Sequence, residues 1–336
     1  MAETETEVIG AGSQLMSSIK GVLIGLVMIP ASFGVVWMAS HRAQASEELQ
    51  GAFPVAQKAK AVKEQKAVYA TGKIKANQIG DPGYIKPGNY LSLSRTPEVY
   101  AYIETKETKT RKEGTKEIKE TTYDCKLGWT DNPSGDYGTK GCRGKPRYSL
   151  QGSKSSSTAN ISLEESGKTY RVKGATQYGF DSLSLSESDL VQSNLTVSSN
   201  DVYFNKRCAS SPDAGCQRYS YSGTVYDPAS DHTVVGSETG DQFQKFNDFL
   251  IIGVGDYTNT METVASSDSM WTLIWFGLSV VLFGGGLSLL VGPLLQIIEF
   301  IPFIGNFGAG VIRFILFAFA FVVMGLTFLL LEYWYL

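Results

Sequence analysis

Two histidines, His41 and His232, are the imidazoles on which acid–base catalysis at neutral pH could draw. His232 follows Asp231, so a Ser/His/Asp hydrolase would have to be built around it. The chain contains no G-x-S-x-G nucleophile turn, no H-E-x-x-H zinc motif and no phosphate-binding loop. We therefore expect no enzymatic activity and no cofactor. A hydrolase that uses His232 is the third of three hypotheses.

Four cysteines lie in the polar middle of the chain, at Cys125, Cys142, Cys208 and Cys216. Their spacing matches no zinc site, because no C-x2-C pair occurs and histidine is scarce. Four cysteines permit three pairings, of which local closure, Cys125–Cys142 with Cys208–Cys216, is the simplest. An even number in loop-rich segments favours disulfides and an oxidising compartment. The alternative is four reduced thiols in a cytoplasmic domain.

Two ionisable residues, Glu299 and Arg313, interrupt the apolar carboxyl-terminal region. Charged groups at membrane depth usually pair or do functional work. Three interpretations stay open: both side chains reach the headgroups, they form a structural pair, or they line a path for an ion or proton. A glycine triplet, Gly284, Gly285 and Gly286, could let helices approach closely, although glycine is common in membrane spans.

The elements that must position these residues are membrane helices and a large polar domain. The 61 residues from Trp271 to Leu331 are almost entirely apolar, and about 20 apolar residues cross a bilayer core. We predict transmembrane helices at 21–40, 271–291 and 311–331, after an N-terminal tail at 1–20. The first apolar run could also be a secretory signal, but the preceding tail is long and acidic, which favours a retained anchor.

The connector at residues 292–310 is too apolar for a free loop, and prolines and glycines interrupt it. A short helix lying in the membrane interface, or a re-entrant hairpin, fits this composition. The connector and the two spans that flank it form a predicted helical hairpin.

Residues 41–270 form a polar block that we predict to be a β-rich extracytoplasmic domain. The clearest element is a hairpin, in which residues 99–105 form a strand, 111–114 turn and 118–123 return. Its alternating Lys and Glu favour cross-strand ion pairs in a solvated ribbon, or a charged edge that blocks aggregation. The Gly- and Ser-rich stretch near 150–166 is a predicted loop and a candidate boundary between two β subdomains.

Weaker patterns complete the polar block. Further predicted strands are Tyr170–Val172, Leu195–Val197, Val202–Phe204, Tyr219–Val225, His232–Val235 and Phe249–Val254. Predicted helices are Ala43–Leu49, Val55–Ala67 and the lead-in helix Thr258–Ala265. Asn160-Ile161-Ser162 and Asn194-Leu195-Thr196 have the form of N-glycosylation acceptors, a form that often arises by chance. The fold class is therefore α+β: a β-rich extracytoplasmic domain between an N-terminal transmembrane helix and a C-terminal helical hairpin.

The polar domain is electrically neutral, with 28 basic and 28 acidic residues. Binding to nucleic acid requires a basic footprint, so we expect no nucleic-acid partner. A local excess of basic residues follows the first span and could attract anionic membrane lipids; the alternative is a solvated helix face. These residues are Arg42, Lys58, Lys60, Lys63, Lys66, Lys73 and Lys75.

The hairpin sequence EVYAYIETKETKTRKEGTKEIKETTYDCKLGW resembles the strand pair and following Trp of the LUMA family, also called the transmembrane protein forty-three family. Further similar segments occur in the same order: YSYSGTVY, GDQFQKF, GDYTNTMETVASSDSMWTLIWFG and FIPFIGNFGAGVIRFILFAFAF. The resemblance covers nearly the whole chain. It implies an N-terminal span, a large extracytoplasmic domain, a C-terminal membrane bundle and no known enzymatic activity. The family pattern also includes a fourth span after an Arg-Pro pair, which the sequence up to Leu336 does not contain.

In animals this resemblance implies proteins of the endoplasmic reticulum and inner nuclear membrane that self-associate and bind envelope partners. Our first hypothesis is an integral membrane scaffold, a homo-oligomer whose extracytoplasmic domain binds protein partners. The second is a transport or channel-associated component that uses Glu299 and Arg313. The membrane would be the plasma or inner membrane of a prokaryote, or the endoplasmic reticulum or inner nuclear membrane of a eukaryote.

Overall fold

Long apolar helices and many strands make up the computed structural model, which describes residues 3–9, 11–113, 116–299 and 305–333. Side-chain environments are described for residues 3–9, 19–111, 117–294 and 310–333. The helices are α1 (Ala11–His41), α2 (Ala45–Glu48), α3 (Lys58–Lys63), α4 (Pro133–Asp136), α5 (Lys206–Ser210), α6 (Tyr257–Glu299) and α7 (Gly305–Tyr333).

Three helical stretches are long and apolar enough to cross a membrane: Ile19–Glu48, Tyr257–Leu294 and Gly310–Tyr333. Each contains one of the predicted spans. Large apolar side chains such as Phe314, which is 75% exposed, cover the outer surface of these helices. Exposed apolar surface of this extent suits contact with lipid tails.

The helix α6 is longer than the predicted second span. It joins the predicted lead-in helix to the span without a break and continues through Pro293 to Glu299. A proline removes only one backbone hydrogen bond, and the apolar residues after it can extend the helix. The connector predicted at 292–310 is therefore helical at both ends, since α7 begins at Gly305. Residues 300–304 lie outside the described part of the chain.

The strands in the described residues number eighteen. They are β1 (Glu3–Ile9), β2 (Phe53–Pro54), β3 (Val68–Ala76), β4 (Ile79–Asp81), β5 (Ile85–Gly88), β6 (Tyr90–Glu113), β7 (Lys116–Thr130), β8 (Ser155–Thr158), β9 (Ile161–Glu165), β10 (Lys168–Val172), β11 (Thr176–Tyr178), β12 (Asp181–Ser182), β13 (Thr196–Ser198), β14 (Asp201–Tyr203), β15 (Gln217–Val225), β16 (His232–Thr239), β17 (Gln242–Gln244) and β18 (Ile251–Val254). The predicted hairpin is β6 with β7, and both strands extend beyond the predicted limits.

The described residues divide into two compact units. The β unit contains Ser46–Thr108 and Glu120–Val264, together with the amino-terminal residues up to Glu5. The helical unit contains Thr6–Ala45, Lys109–Lys119 and Ala265–Leu336.

The first large sheet has the strand order β1-β7-β6-β15-β14-β13, with β12 beside β15 and β8 beside β6. Its core is rich in tyrosine and leucine and includes Tyr219, Tyr221 and Leu185. The strand β1 was not predicted, because ETETEVI is charged and exposed. The carboxylate of Glu5 in β1 accepts hydrogen bonds from Lys140 Nζ at 2.5 Å and Tyr123 Oη at 3.2 Å.

The second large sheet closes on itself. The strand β16 pairs with β3, β3 with β9, β9 with β10, β10 with β17, and β17 again with β16. Alternating side chains fill the interior of this ring, among them Leu163, Val234 and Phe243, each at most 1% exposed. A small ring of strands with a packed interior is a structural core and not a pore.

The stretch at residues 150–166, predicted as a loop and subdomain boundary, contains one strand of each sheet. The strand β8 pairs with β6 in the first sheet, and β9 lies between β3 and β10 in the second. The chain crosses between the sheets here, but β12 to β15 return to the first sheet and β16 to β18 to the second. The two cores therefore do not correspond to two consecutive halves of the domain.

Candidate functional site

The glycine triplet of α6 lies where the helices of the helical unit pack together. A Cβ atom added at Gly286 would be 2.9 Å from Ile29 Cγ1 of α1, and one added at Gly25 would be 2.7 Å from the Gly286 carbonyl oxygen. The two helices therefore touch backbone to backbone, which only glycine permits at this separation. Gly25 belongs to this contact but did not stand out in the sequence.

The other two glycines of the triplet face neighbours in the same chain. A Cβ atom at Gly285 would be 3.2 Å from Met28 of α1, and one at Gly284 would be 2.7 Å from the ring of Phe317 in α7. All three glycines thus pack α6 against helices of its own chain. Any self-association must use another surface, since this one is occupied.

An ion pair joins α6 to the residue that follows α1. Arg42 Nη2 donates to Asp268 Oδ1 at 3.0 Å, and the Asp268 side chain is only 7% exposed. Arg42 belongs to the basic patch that could attract anionic lipids or form a solvated helix face, and Asp268 had no predicted role. The one available signal was a lone carboxylate just before an apolar run, three residues ahead of Trp271.

The basic patch predicted after the first span is largely neutralised by ion pairs. The paired side chains are Lys58–Glu238 at 2.7 Å, Lys73–Asp231 at 2.8 Å, Lys60–Glu64 at 3.9 Å and Lys75–Glu164. Pairing of this kind reduces the positive potential that anionic lipids would feel.

The described residues do not test the predicted charged pair, Glu299 and Arg313. Arg313 is exposed on α7, whereas the side chain of Glu299 lies outside the described part. The structural-pair and ion-path interpretations therefore stay predictions.

Both local disulfides predicted from the sequence are present. Cys125 of β7 bonds to Cys142, and Cys208 of α5 bonds to Cys216. No free cysteine remains. Two disulfides in the β unit support an oxidising, extracytoplasmic compartment for it.

A buried polar cluster organises the core of the first sheet. Arg95 Nη1 donates to both carboxylate oxygens of Asp81, at 2.8 and 3.1 Å, and Tyr221 Oη donates to Asp81 Oδ2 at 2.7 Å. The guanidinium also lies 4.6 Å from the ring centre of Tyr219. Burial raises the pKa of Tyr219 to about 12, so the phenol stays protonated. Because every charge in this cluster has a partner, we assign it a structural role.

A second cluster is partly exposed beside the Cys208–Cys216 disulfide. Arg218 donates to Glu98 Oε2 and Asp201 Oδ2, both at 2.6 Å, and its guanidinium lies 4.4 Å from the Trp129 ring. A stacked arginine that bridges two carboxylates on neighbouring strands holds those strands in register. This cluster could not be predicted from the sequence, because β6, β14 and β15 become neighbours only in the folded sheet.

The environment of His232 is that of a core residue. The side chain is 1% exposed, and its ring stacks on Phe180 with centroids 5.4 Å apart. Burial lowers its pKa, against the opposing influence of the Ser230 backbone and of nearby Asp227. Its Nδ1 has no hydrogen-bond partner among the described residues. In this conformation the imidazole does not present a base to a substrate, so the hydrolase hypothesis gains no support.

A groove of about 630 Å³ lies on the β unit beside β10 and includes Arg171, Lys173 and Gln242 among its lining residues. It is shallow and open, unlike the enclosed clefts that hold most small ligands. Among the residues described, no group of three or more His, Cys, Asp or Glu side chains could hold a metal ion.

Comparison with known proteins gives one match. A family model described as Transmembrane protein 43 matches residues 99–335. No significant match was found among curated proteins or among solved structures. The matched stretch runs from β6 through the disulfides and α6 into α7, and it covers more than two thirds of the chain. The chain therefore belongs to the transmembrane protein 43 family, the LUMA family that its hairpin and carboxyl-terminal segments resemble.

Proposed function

We propose that the chain is an integral membrane scaffold that self-associates and binds protein partners through its extracytoplasmic β-rich domain, residues 41–270. The observation that carries this proposal is the edge of β6 that pairs with no second strand in the described sheets. The strand β15 pairs with β6 only as far as Val99, and β8 only as far as Arg95. Beyond Tyr100, β6 pairs in the described sheets with β7 alone, and residues 105–111 are all exposed.

An uncovered strand edge offers a row of backbone donors and acceptors to another strand. Its charged side chains prevent indiscriminate pairing and select a strand of complementary charge. A second copy of the same strand is complementary. In a two-fold antiparallel pair centred on Thr108, Glu107 of each copy lies opposite Lys109 of the other. Opposite charges across a strand pair are favourable, by roughly 0.2–1 kcal/mol each.

The glycine triplet is a poorer candidate for contact between two copies than this edge of β6. A two-fold interface uses the same surface on both copies. The triplet is filled by Met28, Ile29 and Phe317 of its own chain, whereas β6 beyond Tyr100 pairs with no strand other than β7 in the described sheets. Protein partners other than a second copy would add an extended, charged segment to the same edge.

Cysteine cross-linking in native membranes tests the proposal. The full-length T108C variant should form a disulfide-linked dimer, because the two-fold pairing places both Thr108 residues opposite each other. Val191 is 46% exposed elsewhere on the β unit, so V191C is the matched control and should stay monomeric on a non-reducing gel.

Equal dimer formation by both variants would indicate random collision and contradict the specific edge contact. A T108C variant that stays monomeric, in a chain that also migrates as a monomer after gentle extraction, would remove self-association from the proposal.

A further inference from the structure

Two acceptor triplets for N-linked glycans occur in the chain, and both lie in the β unit. The asparagines, Asn160 and Asn194, are both exposed. Exposure alone therefore does not distinguish the two asparagines as acceptors, but the structure around each of them does.

Asn194 lies in a turn that leads into β13. The backbone N–H of Leu195 donates to the Gln192 carbonyl at 3.3 Å, and Leu195 is 5% exposed in the core of the first sheet. Leu195 anchors the turn in the core, and Asn194 stays at the surface. The strand β13 pairs only with β14 at the edge of its sheet, so Thr196 is on an edge strand. Within the described part of the chain, neither the Asn194 amide nor the Thr196 hydroxyl has a hydrogen-bond partner.

Asn160 lies in the short connection between β8 and β9. Its backbone N–H donates to Asn77 Oδ1 at 2.6 Å, and the Ser162 hydroxyl donates to the Lys75 carbonyl at 3.0 Å. Ser162 is in β9, which β3 and β10 flank on both sides. The hydroxyl that a glycosyl transferase must recognise is therefore already engaged in this triplet.

We propose that Asn194 carries an N-linked glycan. The proposal rests on the extracytoplasmic orientation of the β unit given above. The donor is a lipid-pyrophosphate-linked oligosaccharide. The Asn194 amide nitrogen forms a bond to the anomeric carbon, the bond from that carbon to the pyrophosphate oxygen breaks, and the lipid pyrophosphate leaves. The amide nitrogen gives one proton to a base of the transferase, and the Thr196 hydroxyl supplies the recognition contact.

The test is translation of the full-length chain with sealed endoplasmic-reticulum microsomes, followed by endoglycosidase H. We expect one glycan, seen as a single mobility shift that the enzyme removes. The shift should be absent from N194Q and from T196A, which keeps the asparagine itself. It should persist in T196S, which preserves the acceptor triplet, and in N160Q.

Protease added outside the microsomes distinguishes a failure of the glycan proposal from a failure of the proposed orientation. If the β unit is protected from the protease but shows no mobility shift that N194Q abolishes, the glycan proposal is wrong and the orientation stands. Loss of the shift in N160Q instead of N194Q also overturns it. If the external protease digests the β unit, the proposed orientation is wrong. Both the glycan and the extracytoplasmic part of the proposed function are then contradicted.

Discussion

The Arg42 guanidinium donates a hydrogen bond to the Asp268 carboxylate across 3.0 Å and so joins the end of α1 to α6. Arg42 is about one third exposed, whereas Asp268 is almost fully enclosed. A carboxylate in that position depends on its cation, because an unpaired buried charge is costly. The pair thus couples two segments that are 226 residues apart in the sequence.

Removing the carboxylate should loosen this junction. We expect D268A to lower the free energy of unfolding by roughly 1.5–3 kcal/mol, the range for a hydrogen bond between charged groups. Thermal melting of the full-length chain in detergent measures the loss. The exchanged pair R42D/D268R should recover part of it, and equal stability of D268A and the parent chain would show that the ion pair contributes nothing.

The glycine crossing gives a second prediction. In G25A the new methyl group would meet the Gly286 carbonyl oxygen, so α1 and α6 must move apart. Overpacking of this kind costs about 1–3 kcal/mol. The matched control is G277A in α6, where no atom lies within 4 Å of the added Cβ. Thermal melting should show a loss for G25A and little change for G277A; equal effects would contradict the backbone contact.

These two contacts show what the sequence could and could not predict in the helical unit. The spans were predictable, because a run of apolar residues long enough to cross a bilayer is a local property. Close packing at Gly284, Gly285 and Gly286 was a reasonable expectation from residue size. The partner of each glycine was not predictable, since it depends on how α1 and α7 are placed. The same holds for Asp268, whose cation lies at the other end of the chain.

In the β unit, too, local features could be predicted from the sequence, whereas contacts between distant segments could not. The β6–β7 hairpin was predicted because its strands are adjacent and alternate in charge. The strand β3 was not predicted, although Val68, Ala70 and Ile74 alternate into the core. Closure of the second sheet depends on pairing of β3 with β16, more than 150 residues later. No local pattern encodes such a contact.

The disulfides give a third prediction. In the chain-entropy account, replacing Cys125 and Cys142 by alanine removes about 3 kcal/mol of stability, and replacing Cys208 and Cys216 about 2.5 kcal/mol. The difference follows from the sequence separations of 17 and 8 residues. Melting of each double variant, with and without reductant, measures both losses. Reductant should not change the melting of a chain that lacks all four cysteines.

The side of the membrane that the disulfides face is a separate prediction. An impermeant thiol reagent should label the chain from the extracytoplasmic side only after reduction. Labelling without reductant, and only after permeabilisation, would mean reduced thiols on the cytoplasmic side.

The last prediction concerns the pH dependence that His232 gives to the β unit. Burial lowers the pKa of its imidazole below the ordinary value of 6.5. As the pH falls through about 6.5, the unfolded chain binds a proton at this residue while the folded chain does not. The free energy of unfolding should therefore be highest above pH 6.5 and decrease toward pH 5.5. Carboxylates such as Asp227 and Glu238 have lowered pKa values and titrate below this window.

Unfolding of the parent chain and of H232Q, followed by tryptophan fluorescence between pH 5.5 and 7.5, isolates the contribution of the histidine. H232Q should lose most of the slope because glutamine binds no proton, and parallel slopes in the two proteins would assign the pH dependence to other groups.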